Sequence, residues 1–121
     1  MPATKQNVLI VEDDPLPQMI AFDIVSDAGF EPLVATNATE AISILESRKD
    51  IRLVFTDIDL PDGIDGLKLA ALIQDRWPTI AILITSGHIK PRNQTLPVRC
   101  MFLPKPYRLE CVVSALRTLA A

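Results

Sequence analysis

Five short apolar runs recur along this chain, and between most of them the apolar residues change from consecutive to helical spacing. The runs are residues 7–11 (NVLIV), 30–35, 53–55 (LVF), 80–84 (IAILI) and 100–103 (CMFL). Runs of this length bounded by turn residues fit strands buried on both faces. After the first, Pro15 suits the first turn of a helix, and Leu16, Ile20, Ile24 and Ala28 recur at helical spacing until Gly29 stops them. Pro32 interrupts and weakens the second run. Asn37 with Glu40 three residues on resembles a capping box, with Ala38, Ala41, Ile42 and Leu45 on the helical face behind it. Asp65 can cap a third helix carrying Leu69, Leu72 and Ile73, which Pro78 ends. A last helix carries Leu109, Val112, Val113, Leu116 and Leu119.

Strands alternating with helices imply parallel pairing through right-handed crossovers. The expected fold is an α/β, flavodoxin-like, doubly wound five-stranded parallel sheet of order 2-1-3-4-5, in one domain over residues 1–121. One segment breaks the rhythm. Residues 88–98 (HIKPRNQTLPV) hold two prolines and little helical periodicity, so the helix after the fourth strand is expected to be short, irregular or missing.

The stretch 53–66 (LVFTDIDLPDGIDG) organises the rest. Asp57 falls at the carboxyl end of its strand, the edge of an open parallel sheet where ligands and chemistry gather. A carboxylate there is a nucleophile, a metal ligand or a helix cap. Collecting the other strand ends adds Asp13 and Asp14 from the first, Thr85 from the fourth and Lys105 from the fifth. Strands one and three are neighbours in the expected order, so three carboxylates would converge on one small pocket. Like charges disfavour one another's ionisation unless a cation neutralises them, and oxygen-only ligands with water suit Mg²⁺. Such a cation, an ammonium and a hydroxyl together could neutralise a phosphoryl group in flight to Asp57. A carboxylate nucleophile forming an aspartyl phosphate is established chemistry.

Taken singly, each residue has a plainer role. Asp13 and Asp14 would simply begin a helix, where negative charge complements the dipole. Lys105 would be a surface lysine, Thr85 a local hydrogen-bonding hydroxyl and Phe102 a core aromatic. His88 has no second ligand candidate beside it. The joint arrangement at four successive strand ends is what selects the phosphoryl reading.

Composition removes other classes. The 121 residues carry a net charge of −3, with 49% hydrophobic and 22% charged residues. This balance lacks the basic stripe of a nucleic-acid module. Cys100 and Cys111, the two cysteines, have no metal-finger spacing and lie among apolar residues, so buried reduced thiols are expected. With no signal-peptide pattern and no membrane-spanning apolar run, a cytoplasmic protein is expected.

Asp13-Asp14, Asp57, Thr85 and Lys105-Pro106 resemble the signature set of response-regulator receiver domains of the CheY-like kind, and the likeness covers the whole chain. It implies a receiver of a two-component system, here of the stand-alone type, that takes a phosphoryl group from a sensor histidine kinase or histidine phosphotransfer protein and then switches binding to a downstream protein. It implies no other enzymatic activity. By resemblance, Asp57 is the phosphoacceptor, Asp13 and Asp14 hold Mg²⁺ directly or through water, and the backbone carbonyl of Asp59 is a further ligand. Thr85 and Lys105 would bind the phosphoryl oxygens, and Phe102 falls at the switch aromatic. Three departures bear on phosphoryl lifetime: one extra residue between Pro61 and Asp65, Ser86 after Thr85, and the carboxylate of Asp59. Related receivers also imply that a kinase helix packs beside Pro17, Gln18 and Ala21. Residues 88–98 are expected to gain order on phosphorylation.

A rival reading comes from Asp57-Ile58-Asp59, which resembles the D-x-D loop of haloacid-dehalogenase-type phosphohydrolases. Those enzymes usually place this loop near the chain start, with the metal acids after it. Here Asp13 and Asp14 come first.

Overall fold

The structure, a computed structural model, describes residues 6–58, 66–86 and 99–120. Its elements run β1 (Asn7–Val11), α1 (Pro15–Asp27), β2 (Glu31–Ala35), α2 (Ala38–Ser47), β3 (Ile51–Asp57), α3 (Gly66–Arg76), β4 (Ala81–Ser86), β5 (Cys100–Pro104) and α4 (Leu109–Ala120). All neighbouring strands pair in parallel, in the order β2-β1-β3-β4-β5. The expected architecture is therefore the observed one. The segment 88–98 and the Asp65 cap lie outside the described residues, as do Asp59 and His88.

Because side chains alternate across a strand, the sheet has two apolar faces. Val8 and Ile10 of β1, Leu53 and Phe55 of β3, and Ala81 and Leu83 of β4 pack with α1 and α4. Leu9, Val11, Val54, Ile82 and Ile84 pack with α2 and α3 on the other face. Pro32 is accommodated because β2 is an edge strand, where a missing N–H need not break a ladder on its outer side.

Local chemistry fixes the helix ends. Asn37 Oδ1 accepts from the Glu40 amide at 2.7 Å, and the Glu40 carboxylate returns to the Thr36 amide at 3.1 Å, one residue before the cap. Gly29, at φ +94°, lets the chain leave α1 through paired bonds from the Gly29 amide to Ser26 and from the Phe30 amide to Val25.

The helix faces differ in part from those expected. In α1 the buried side chains are Ala21, Ile24 and Val25, while Leu16, Met19, Ile20 and Phe22 are exposed. This helix is apolar on several faces, so spacing alone did not select the inward one. Leu72 and Leu109 are likewise exposed, while Ala70 and Ala115 are buried. Burial lifts the half-buried Cys100 thiol to about 11, whereas Cys111 is exposed, against the expectation of two buried thiols.

Candidate functional site

The alternation that builds the core also builds the site. On the face covered by α1 and α4, Val8 and Ile10 lead to Glu12, and Leu53 and Phe55 lead to Asp57. Ala81 and Leu83 lead to Thr85, and Met101 and Leu103 lead to Lys105. Each run is apolar until it reaches the carboxyl edge of the sheet, then turns polar. Register sets Asp57 beside Thr85, and Thr85 beside Leu103. Glu12, Thr56, Asp57, Thr85 and Lys105 line one cavity of about 10 Å³, closed by Pro17, Ala21 and Tyr107, with room for about one water.

Within it, Lys105 Nζ donates to Asp57 Oδ2 at 2.8 Å and stands 3.8 Å from Glu12 Oε1. Glu12 and Thr85 are buried, at 7% and 3% exposure. Burial is the largest cause raising the Glu12 carboxyl to about 7; the Asp14 amide and Lys105 oppose that rise, while the charge of Asp57 and a hydrogen bond with Asp13 add to it. Burial alone would lower the Lys105 ammonium, but its bond to Asp57 and the charges of Asp57 and Glu12 outweigh that and hold it above its ordinary value. Burial likewise raises the Tyr107 phenol, whose ring centroid lies 6.2 Å from that of Phe55.

The structure brings together Asp57, Thr85 and Lys105 from the expected set, and adds Glu12 and Tyr107. Glu12 was legible in the Val8-Ile10-Glu12 alternation, but the adjacent Asp13-Asp14 pair drew the reading one step along the chain. Of the three expected carboxylates, Asp57 is the one that lines the cavity. Asp14 is the N-cap of α1, its Oδ1 accepting from the Leu16 amide at 3.3 Å, and is exposed. Asp13 is also exposed, on the opposite strand parity, next in the chain to Glu12. Among the described residues no group of three or more His, Cys, Asp or Glu gathers as a metal cluster. The metal-ligating atoms that face the cavity are oxygens of Glu12, Asp57 and Thr85, a set that suits a hard cation held by one or two carboxylates and completed by water.

Phe102 lies half-buried on the other face, packed against the α2–α3 core beside Ile84. Ala21 is buried and Gln18 is engaged, its Nε2 donating to the Glu12 carbonyl at 2.8 Å. Ala21 thus lines the pocket and Gln18 braces the Glu12 backbone beside it. The exposed apolar surface of α1 falls instead on Leu16, Met19, Ile20 and Phe22.

A buried acid, an edge aspartate, a threonine and a lysine thus meet at one end of a doubly wound sheet, at its topological switch point. The family model for the response regulator receiver domain matches residues 8–117, and the chain belongs to that family. It is 40% identical over 83 residues to a putative response regulator NtrX-like protein of Rickettsia felis, covering 68% of this chain and 17% of that protein. It is 33% identical over 115 residues to the positive alginate biosynthesis regulatory protein of Pseudomonas aeruginosa, covering 92% of this chain and 46% of that one. The chain thus spans less than half the length of either curated relative. Among solved structures, a response regulator receiver protein from Sinorhizobium medicae superposes with a TM-score of 0.87 at 24% identity, over 95% of this chain and 94% of that one. TrrA of Thermotoga maritima, solved in complex with Mg²⁺ and BeF, gives 0.84 at 23%, over 94% and 98%. Both support the fold.

Proposed function

We propose that this chain is a phosphorylation-controlled switch that accepts a phosphoryl group on Asp57 from a histidine kinase or histidine phosphotransfer protein in the cytoplasm. The observation that carries the reading is the 2.8 Å bond from Lys105 to Asp57 at the carboxyl edge of the sheet, beside Glu12 and Thr85. An Asp57 carboxylate oxygen attacks phosphorus, the new O–P bond forms, and the bond from phosphorus to the donor breaks with its electron pair leaving on the donor. Lys105 then shifts from carboxylate to phosphoryl oxygen, and the Thr85 hydroxyl donates to another.

Glu12 and Asp57 would hold Mg²⁺ directly or through water, with Asp13 next to Glu12 able to reach it through water and Asp59 supplying a backbone carbonyl from outside the described residues; the Asp14 carboxylate caps α1. When bound, that ion supplies the positive charge that offsets the donor and acceptor oxygens. The phosphorylated form binds a downstream protein, with Thr85 and Phe102 biasing its surface. A cavity with room for about one water supports modification of the chain itself over turnover of a phosphomonoester, as an Asp57/Asp59 phosphohydrolase would require.

The test is intact-mass analysis after incubation with Mg²⁺ and a small acyl-phosphate donor. One phosphoryl group should appear, labile to acid and base, and Asp57→Asn should carry none. Undiminished labelling of that variant sinks the assignment.

A further inference from the structure

The Asp57 carboxylate faces α1 and α4, but the peptide that carries it is held from the opposite side. A trans peptide points its C=O and N–H in opposite directions. The Ile58 N–H is committed to the Thr85 carbonyl on β4 at 2.9 Å, so the Asp57 carbonyl points toward the β1 side. There the paired register has already ended, at Val11 with Thr56. The carbonyl instead accepts from the hydroxyl of Thr56 at 3.0 Å. Thr56 is buried on the strand parity of Val54, opposite to that of Asp57, and also borders the acceptor cavity.

Gly66, the first residue of α3, closes the third side. Its N–H donates to the Ile58 carbonyl at 2.8 Å. A Cβ at this position would strike the Asp57 carbonyl oxygen and would lie 2.8 Å from the Ile58 Cα. Those are backbone atoms, which cannot swing aside as a side-chain end would. The acceptor peptide is therefore pinned by a hydroxyl, by the bare Cα of Gly66 and by a ladder bond to Thr85.

We infer that Thr56 and Gly66 are positioning residues for phosphoryl transfer, fixing the peptide plane from which Asp57 projects. The role rests on Asp57 being the acceptor. Tilting that plane turns the Asp57 Cα–Cβ bond and displaces the carboxylate from the line of attack, and a misplacement of about 1 Å can cost on the order of a hundredfold in rate. Neither residue is assigned a bond to the phosphoryl oxygens, and neither is placed among the Mg²⁺ donors.

The experiment uses the full chain with Mg²⁺ and acetyl phosphate, following labelling rate by intact mass and Mg²⁺ affinity by calorimetry. Thr56→Val keeps shape and β-branching but removes the hydroxyl; Thr56→Ser keeps the hydroxyl. The expected result is a drop in labelling rate of roughly tenfold or more for Thr56→Val, recovery of most of it in Thr56→Ser, and unchanged Mg²⁺ affinity in both. Gly66→Ala should slow labelling in the same direction; if it does not fold, the Thr56 pair decides. Wild-type labelling by Thr56→Val overturns the inference, as does a loss in Thr56→Ser equal to that in Thr56→Val. A fall in Mg²⁺ affinity parallel to the rate also overturns it, because it assigns Thr56 to the metal site. Failure of the parent reading looks different: the unaltered chain takes no label, or Asp57→Asn still takes it, and both proposals go together.

Discussion

The Asp14 amide donates to the Glu12 carboxylate at 3.1 Å, while the Asp14 carboxylate turns away to accept from Leu16. Two neighbouring acids thus divide two jobs, one facing the cavity and one starting a helix. Glu12→Gln should weaken Mg²⁺ binding by roughly tenfold to a hundredfold, the range for groups that tune a metal site. Asp14→Ala should cost about 1 kcal/mol of stability through the lost cap and leave Mg²⁺ affinity nearly unchanged. Calorimetric titration beside thermal melts separates them, and the reverse pattern would return the metal role to Asp14.

Glu12 also gives the metal-free protein a pH signature. Its carboxyl is raised from an ordinary 4.5 to about 7, chiefly by burial. Between those values the folded chain holds a proton that the unfolded chain has released, so stability falls as pH rises through the window and levels off above about 7. Denaturant melts in EDTA from pH 5 to 8 should show this decline, and Glu12→Gln should flatten it. Parallel curves for the two proteins would mean that Glu12 does not titrate there.

Much of this was legible in the sequence because the signals were redundant. Five apolar runs and the helical spacing between them specify the layers, and Asn37, Gly29 and Pro15 punctuate them. Asp57, Thr85 and Lys105 each close an apolar run, so strand ends alone located them. What the sequence left ambiguous was rotation about an axis. Leu16 and Ile20 match a helical period as well as Ala21, Ile24 and Val25 do, and only packing against β1 and β2 selects the second set. Asp13 and Glu12 differ by one residue, which in a strand is the difference between two faces. Thr56 and Gly66 had no sequence signal at all, since their role depends on where the β1 register ends and how closely α3 approaches β3.

Lys105 balances two carboxylates in the absence of metal. Lys105→Met should therefore raise Mg²⁺ affinity, because a competing positive charge is gone, while slowing labelling of Asp57 by roughly tenfold to a hundredfold through lost stabilisation of the phosphoryl oxygens. Opposite movement of these two quantities is the diagnostic. If both fall together, Lys105 supports the shape of the pocket rather than the charge on the transferring group.

The exposed side of α1 sets the last prediction. Leu16 and Ile20, at 63% and 46% exposure, form an apolar groove of about 520 Å³ with Pro17, Pro106 and Tyr107. Lys105 lines both this groove and the acceptor cavity, so a helix seated in the groove would hold a phosphohistidine close to Asp57. Exposed apolar side chains beside a reactive centre are costly to leave bare and suited to a partner's apolar ridge. Ile20→Glu places a charge in that ridge's path without touching the cavity. Transfer from any kinase or phosphotransfer protein that labels the unaltered chain should drop by roughly thirtyfold, the scale of one interface hot spot. Labelling by acetyl phosphate should be unchanged, because a small donor needs no groove. Phe22→Ser, which alters an exposed α1 residue outside the groove lining, should leave both rates alone. If Ile20→Glu accepts from the protein donor at the full rate, the donor docks on another face.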